Sequence, residues 1–145
     1  MYSCHRCARD VLDVVPLVLR AIRVEMRRHR GRDLSVPQFR TLAFLGGADG
    51  ASLSATAQHV GLSLPSMSKM IDGLVARGLV RRRASARDRR CVTLSLSARG
   101  RATLGAARAR AQARVARMLG PLSAEERRAV GRAMRALRPV FTAAR

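Results

Sequence analysis

The sequence predicts a mainly α fold with a small β-wing, that is, a winged helix-turn-helix domain plus a helical dimerisation layer. Three observations predict it. Leu79–Leu96 reads LVRRRASARDRRCVTLSL, with period-two alternation on either side of a short charged turn, the pattern of a β-hairpin with one buried face. Val92, Leu94 and Leu96 are its inward set, alternating with Cys91, Thr93 and Ser95. Two short helical patterns joined around Gly61 stand directly before the hairpin, and long amphipathic stretches occupy both ends of the chain.

The elements follow in order. A first helix is expected from about Ala8 to Arg30, because Leu12, Val15, Leu19, Ile22 and Met26 recur at three- and four-residue steps; Gly31 ends it. Ser35-Val36-Pro37-Gln38 reads as a helix start, with Ser35 as cap, Pro37 in the first turn and Gln38 closing a capping box. That second helix carries Phe39, Leu42, Ala43 and Leu45 and stops at Gly46-Gly47. Ala51-Ser52-Leu53 is expected to be a brief strand that pairs with the hairpin. A short helix from Ser54 to Val60 is closed by Gly61, and a second from Leu64 to Arg77 is capped by Ser63 and stopped by Gly78. Two such helices across a glycine turn make a helix-turn-helix.

In the first of the pair, Leu53, Ala57 and Val60 face inward; in the second, Met67, Met70, Ile71 and Leu74 do so. The opposite face and first turn of the second helix hold Pro65, Ser66, Ser68 and Lys69. These are short or basic and free of acid, which suits a helix entering the major groove, where a carboxylate would meet phosphate repulsion. Ser97 caps a further helix from about Ala98 to Leu119, with a sparse stripe of Leu104, Ala107, Ala111, Val115 and Met118, and Gly120-Pro121 breaks it. Ser123-Ala124-Glu125-Glu126 is a capping box opening the last helix, where Val130, Met134, Leu137 and Phe141 share a face.

A small winged domain cannot cover these terminal stripes alone. Leu12, Val15 and Leu19 of the first helix, with Val130, Met134, Leu137 and Phe141 of the last, therefore read as the interface of a symmetric homodimer. The expected division is an N-terminal helix of the dimerisation layer over 1–33, the winged domain over 34–97 and the C-terminal dimerisation helices over 98–145.

Composition points to a polyanionic partner. The net charge is +20 over 145 residues, and Lys69 is the only lysine among 29 basic residues. Guanidinium suits bidentate phosphate and guanine contacts and narrow minor grooves. GC-rich coding accounts for arginine in place of lysine as readily as function does, but not for a mere nine acidic residues. Nucleic acid is the partner such a balance implies. No apolar stretch reaches the length of a membrane span, and no signal cleavage site follows the apolar segment Val11–Ile22. Three cysteines, an odd number, argue for a reducing cytoplasm and against a disulfide scaffold.

Catalysis is not expected. His5, His29 and His59 lack carboxylate partners at triad or ligand spacing, and there is no nucleophile elbow, phosphate-cradling glycine loop or pair of catalytic carboxylates. No cofactor and no metal is implied. Met67, Met70, Met118 and Met134 fall on core stripes and read as packing. Cys4-His5-Arg6-Cys7 is the one reactive-looking cluster, because neighbouring cations and a helix N-terminus lower a thiol pKa. It lies ahead of the expected first helix, however, and three ligands on four residues are poor zinc spacing. Cys91 is expected to pack on its strand.

At the level of motifs the chain resembles the multiple-antibiotic-resistance regulators, the MarR family of winged helix-turn-helix proteins. The resemblance runs from Val11 onward. It rests on Ser35-Val36-Pro37-Gln38-Phe39, Gly61-Leu62-Ser63-Leu64-Pro65-Ser66-Met67-Ser68-Lys69, Asp72, Leu74, Gly78-Leu79-Val80, Arg82, Asp88-Arg89-Arg90 and Leu96-Ser97-Ala98-Arg99-Gly100. Ser97 stands where the family pattern has threonine, and Gly73 departs from a larger, often basic residue.

The resemblance implies that Arg90 inserts into the minor groove with Asp88 orienting it, and that Pro65, Ser66, Ser68 and Lys69 reach bases and phosphates. Ser63, Arg82, Arg87 and Arg89 complete the candidate DNA contacts. It further implies a dimeric repressor on a pseudo-palindromic operator of double-stranded DNA, released by a small aromatic ligand or by thiol oxidation, for which Cys4 or Cys7 is the candidate in this chain. The ligand is expected where the dimer layer meets the winged domain, beside Ala107, Ala111 and Val115. The competing class is an architectural or nucleoid-type winged-helix protein that binds DNA broadly through charge.

Overall fold

The computed structural model describes residues 1–28 and 34–143. Its elements run α1 (Cys4–Arg27), α2 (Val36–Gly47), β1 (Ala51–Ser52), α3 (Leu53–Val60), α4 (Leu64–Ala76), β2 (Val80–Ala84), β3 (Val92–Leu96), α5 (Ala98–Met118) and α6 (Ala124–Ala143). They fall into two compact units, Met1–Ala111 and Gln112–Arg145. Mainly helical architecture with a three-stranded antiparallel sheet is the fold class the sequence predicts.

In the first unit, α1 starts earlier than its apolar periodicity suggests. Ser3 accepts a hydrogen bond from the Arg6 amide and caps a helix whose first turn already contains Cys4 and Cys7. The expected end of this helix at Arg30-Gly31 lies outside the described residues. Only its C-terminal part meets the core, through Met26; Leu12, Val15 and Leu19 are exposed. The predicted box at the start of α2 is present in full, with Gln38 N–H donating to Ser35 Oγ and Ser35 N–H to Gln38 Oε1 at 2.9 Å.

The core gathers Leu34, Leu42, Leu45, Met67, Ile71, Leu74, Leu79, Leu94 and Leu96 from α2, α4, the sheet and the segments beside them. Polar groups caught in it are satisfied locally: Thr41 and Thr56, both fully buried, donate to the carbonyls of Pro37 at 2.8 Å and Ser52 at 2.7 Å. Arg40 ties α2 to α3 by donating to the His59 and Val60 carbonyls, which lie in the last turn of α3 and have no intrahelical partner. Phe44 stacks on His59 with ring centroids 4.3 Å apart.

Gly61, at φ 80°, closes α3 and its amide donates to Ala57, whose small side chain is buried at the turn. Past α4, Gly78 at φ 71° makes a Schellman closure. Its amide donates to Val75 and the Leu79 amide to Leu74, with Leu74 and Leu79 both buried. A left-handed glycine thus turns the chain straight out of α4 into the hairpin.

The sheet order is β1-β3-β2. Ala51 and Ser52 pair with Leu94 and Thr93, so the brief strand is real, but Leu53 opens α3 instead of extending it because Ser52 caps that helix. In the hairpin, Val80 faces Leu96, Arg82 faces Leu94 and Ala84 faces Val92. Leu94 and Leu96 are buried as expected. Val92 is not: it sits toward the hairpin tip, beyond the core, and is 38% exposed.

The second unit holds the end of α5 and all of α6. The Ser123 capping box is formed, with Ser123 N–H donating to Glu126 Oε2 at 2.7 Å and Glu126 N–H to Ser123 Oγ. Arg127 donates to the Leu122 carbonyl at 2.6 Å, fixing the turn before the helix. Val130, Met134 and Phe141 are exposed and Leu137 is half-buried. No helix among the described residues is long and apolar enough to cross a membrane.

Candidate nucleic-acid interface

Helix α4 presents its first turn outward. Ser63 accepts from the Ser66 amide, and the Ser63 and Ser66 hydroxyls are 2.9 Å apart. Ser63 is therefore committed to capping. Pro65, Ser66 and Lys69 are exposed and Ser68 is half-buried. Met67, Ile71 and Leu74 anchor the opposite face in the core, so the outward face cannot rotate away. Leu64, 50% exposed, also lies on this outward turn, where an apolar surface can meet a thymine methyl; a short apolar residue right after a cap gives no such signal in sequence.

The hairpin carries Arg81, Arg82, Arg83, Arg87, Arg89 and Arg90, all exposed. Its tip is built by Asp88. The carboxylate accepts from the Arg90 backbone amide at 2.9 Å, its carbonyl accepts from the Cys91 amide, and its Oδ2 lies 3.9 Å from Cys91 Sγ. Asp88 thus orders the turn that carries Arg90 by holding its backbone. The guanidinium groups of Arg87, Arg89 and Arg90 have no hydrogen-bond or ion-pair partner among the described residues. Cys91 is exposed and lies in this turn, not packed on the strand, because β3 begins only at Val92.

Arg82 behaves differently from its neighbours. Across the hairpin it pairs with buried Leu94, so it belongs to the inward face of β2, while Arg81 and Arg83 project to the other side. There its Nη2 meets Asp72 Oδ1 of α4 at 2.6 Å. A salt bridge thus joins α4 to the wing. The register carries this signal, since Val80-x-Arg82-x-Ala84 forms one face.

The base of the wing is bound just as closely. Ser97 accepts from the Gly100 amide at 2.9 Å, donates its hydroxyl to the Gly78 carbonyl at 2.5 Å, and its amide donates to Leu79. A Cβ on Gly100 would stand 2.0 Å from the Leu79 carbonyl oxygen, so α5 crosses the entrance of β2 at backbone contact.

A cavity of about 350 Å³ opens in the first unit, lined by Ala43, Gly46, Gly47, Leu96, Leu104 and Gly105 with Arg101 and Arg108. The room expected beside Ala107, Ala111 and Val115 is not what lines it; Ala107 is buried in the core. Cys4 and Cys7 are both exposed, and the Arg6 guanidinium lies over the Tyr2 ring at 5.6 Å. No group of three or more potential metal ligands occurs among the described residues.

Residues 32–90 match the sequence model of the MarR family. The uncharacterized HTH-type transcriptional regulator YfiV of Bacillus subtilis is 31% identical over 98 residues, 68% of this chain but only 61% of YfiV. The HTH-type transcriptional repressor Rv2887 of Mycobacterium tuberculosis is 34% identical over 95 residues, 66% of this chain and 68% of its own length. Its crystal structure, a complex with p-aminosalicylic acid, superposes with a TM-score of 0.70 over 90% of this chain and 96% of that one, at 26% identity. The transcriptional repressor CouR, solved bound to a 23-mer DNA duplex, gives 0.67 at 27% identity, covering 93% of this chain and 91% of CouR.

Proposed function

The chain belongs to the MarR family of transcription regulators, DNA-binding proteins without enzymatic activity, and from this we propose that it is a sequence-specific repressor acting as a cytoplasmic homodimer on a pseudo-palindromic operator in double-stranded DNA. The observation that carries the reading is a wing tip with three guanidiniums unpartnered among the described residues, on a hairpin that Arg82–Asp72 ties to α4, a helix with an acid-free first turn. Pro65, Ser66, Ser68 and Lys69 reach base edges and phosphates in the major groove, and Arg90 enters the minor groove with Arg87 and Arg89 on the flanking backbone. The winged domain spans 34–97. The exposed apolar residues of α1 and α6, with Leu12, Val15, Leu19, Val130, Met134, Leu137 and Phe141 among them, pair with a second copy.

The effector is a small aromatic carboxylate. An apolar floor with Arg101 and Arg108 fits such a molecule, and Rv2887 has been crystallised with one. Release follows only if the ligand favours a half-site spacing that misfits the operator. The rival switch is oxidation at Cys4 or Cys7; if the two pair, hydrogen peroxide oxidises both thiols to a disulfide and is itself reduced to two waters.

Footprinting upstream of the chain's own gene tests the reading. A protected palindrome, bound far more tightly than random DNA at matched salt, is the expected result. Equal affinity for both with a steep salt slope makes the protein architectural instead. Salicylate and peroxide applied to the Cys4→Ser/Cys7→Ser protein separate the two switches.

A further inference from the structure

Much of the positive charge lies far from the wing in sequence. On α6, Arg128, Arg132 and Arg135 flank a groove of about 480 Å³ floored by Ala124 and Gly131 and lined by residues of this helix alone. The three arginines are exposed and have no partner among the described residues. The helix has two acids, Glu125 and Glu126; Glu126 is committed to the Ser123 cap, and Glu125 pairs with none of the three. Gly131 adds no side chain to the floor, and a Cβ there would meet Arg135 Nη1 at 3.5 Å, an ordinary contact. At 3.6 residues per turn the arginines centre about 150° from the Val130–Phe141 stripe, so pairing that stripe with a second copy leaves them in solvent.

This face costs helix stability, because Arg128/Arg132 and Arg132/Arg135 are like charges at i,i+4 and i,i+3. Its row of cations spans about 10 Å along the axis, over which duplex DNA presents roughly six phosphate charges. A dense, linear polyanion matches it; a small carboxylate does not.

We propose that the arginine face of α6 is a second, sequence-independent DNA-backbone site, separate from the winged domain, that docks a further stretch of duplex. The proposal rests on the DNA-binding reading above. The experiment uses the full-length protein with Arg128→Gln/Arg132→Gln/Arg135→Gln and, separately, Arg90→Ala. Binding to random-sequence duplex is titrated across salt, and bead-immobilised duplex is used to capture a second, labelled duplex. The triple variant is expected to keep or raise its melting temperature, to lose capture of the second duplex, and to lower the salt slope by about 3 per groove. Unchanged capture and slope in the triple variant overturn the proposal. Saturable binding of inorganic tripolyphosphate, lost in the triple variant while capture persists, assigns the groove to a small polyphosphate and overturns it equally. Failure of the DNA-binding reading shows differently, as wild-type affinity for duplex unaltered by Arg90→Ala.

Discussion

Arg82 of β2 and Asp72 of α4, ten residues apart, meet at 2.6 Å where the wing crosses the helix. Both side chains are substantially exposed, at 38% and 60%, so the pair contributes about 0–1 kcal/mol to folding. Its value lies in register. Asp72→Asn should leave the melting temperature nearly unchanged, spare or raise affinity for random DNA by removing a negative charge, and lower affinity for the operator. Parallel anisotropy titrations decide it. A rise for both DNAs by the same factor would mean that Asp72 merely repels phosphate.

Arg90→Ala removes a guanidinium from a solvent-facing turn whose backbone is held by Asp88 independently of that side chain. Folding should be unaffected, and operator binding should weaken by about 1–3 kcal/mol per half-site. Asp88→Ala should match it in DNA binding while loosening the turn, visible as faster amide exchange at Arg90 and Cys91. An Arg90→Ala protein with full operator affinity would remove the wing from the interface.

Gly100→Ala forces a methyl to within 2.0 Å of the Leu79 carbonyl, which is backbone and cannot swing aside. The cost should reach at least the upper end of about 1–3 kcal/mol for overpacking. Gly105→Ala on the same helix, where a Cβ meets nothing within 4 Å, should be neutral or stabilising by up to about 1 kcal/mol. Thermal melts of the two variants give the comparison.

Leu137→Arg puts a charge on the apolar stripe of α6 and should yield monomer or unfolded chain. Sedimentation velocity at micromolar concentration measures it. A folded, monodisperse wild-type monomer would contradict the dimer.

The Ser123 cap holds the Glu126 carboxyl below its ordinary range, chiefly through the bond from the Ser123 amide and next through its hydroxyl. A depressed folded pKa stabilises the start of α6 above the unfolded value, and the gain fades as pH falls through the folded one. Wild type should therefore lose helicity on acidification more steeply than Glu126→Gln, measured by circular dichroism.

How much of this was legible in sequence follows from the range of the interactions. Caps at Ser35, Ser63 and Ser123 are local, fixed by a side chain three residues from its donor, and each stands where the pattern puts it. The helix-turn-helix and hairpin were equally readable, since glycine turns and strand alternation are short-range. What escaped depends on distance. Val92 has the right parity but lies beyond the core's reach. Arg82 lies in a run of three arginines that only cross-strand register separates. The early start of α1 at Cys4 was hidden because apolar spacing begins later than the Ser3 cap. The cavity lined by Arg101 and Arg108 needs α2 and α5 brought together, which no linear pattern states.

Ser97 has one further consequence. With its hydroxyl on Gly78, its amide on Leu79 and its oxygen receiving Gly100, it joins the end of α4, the root of the wing and the head of α5 in a single knot. One side chain thus serves three elements. In the reading proposed above, a twist of α5 reaches the wing through this joint like a key turning its bit, and release from DNA would be an adjustment of angle and spacing between two winged domains.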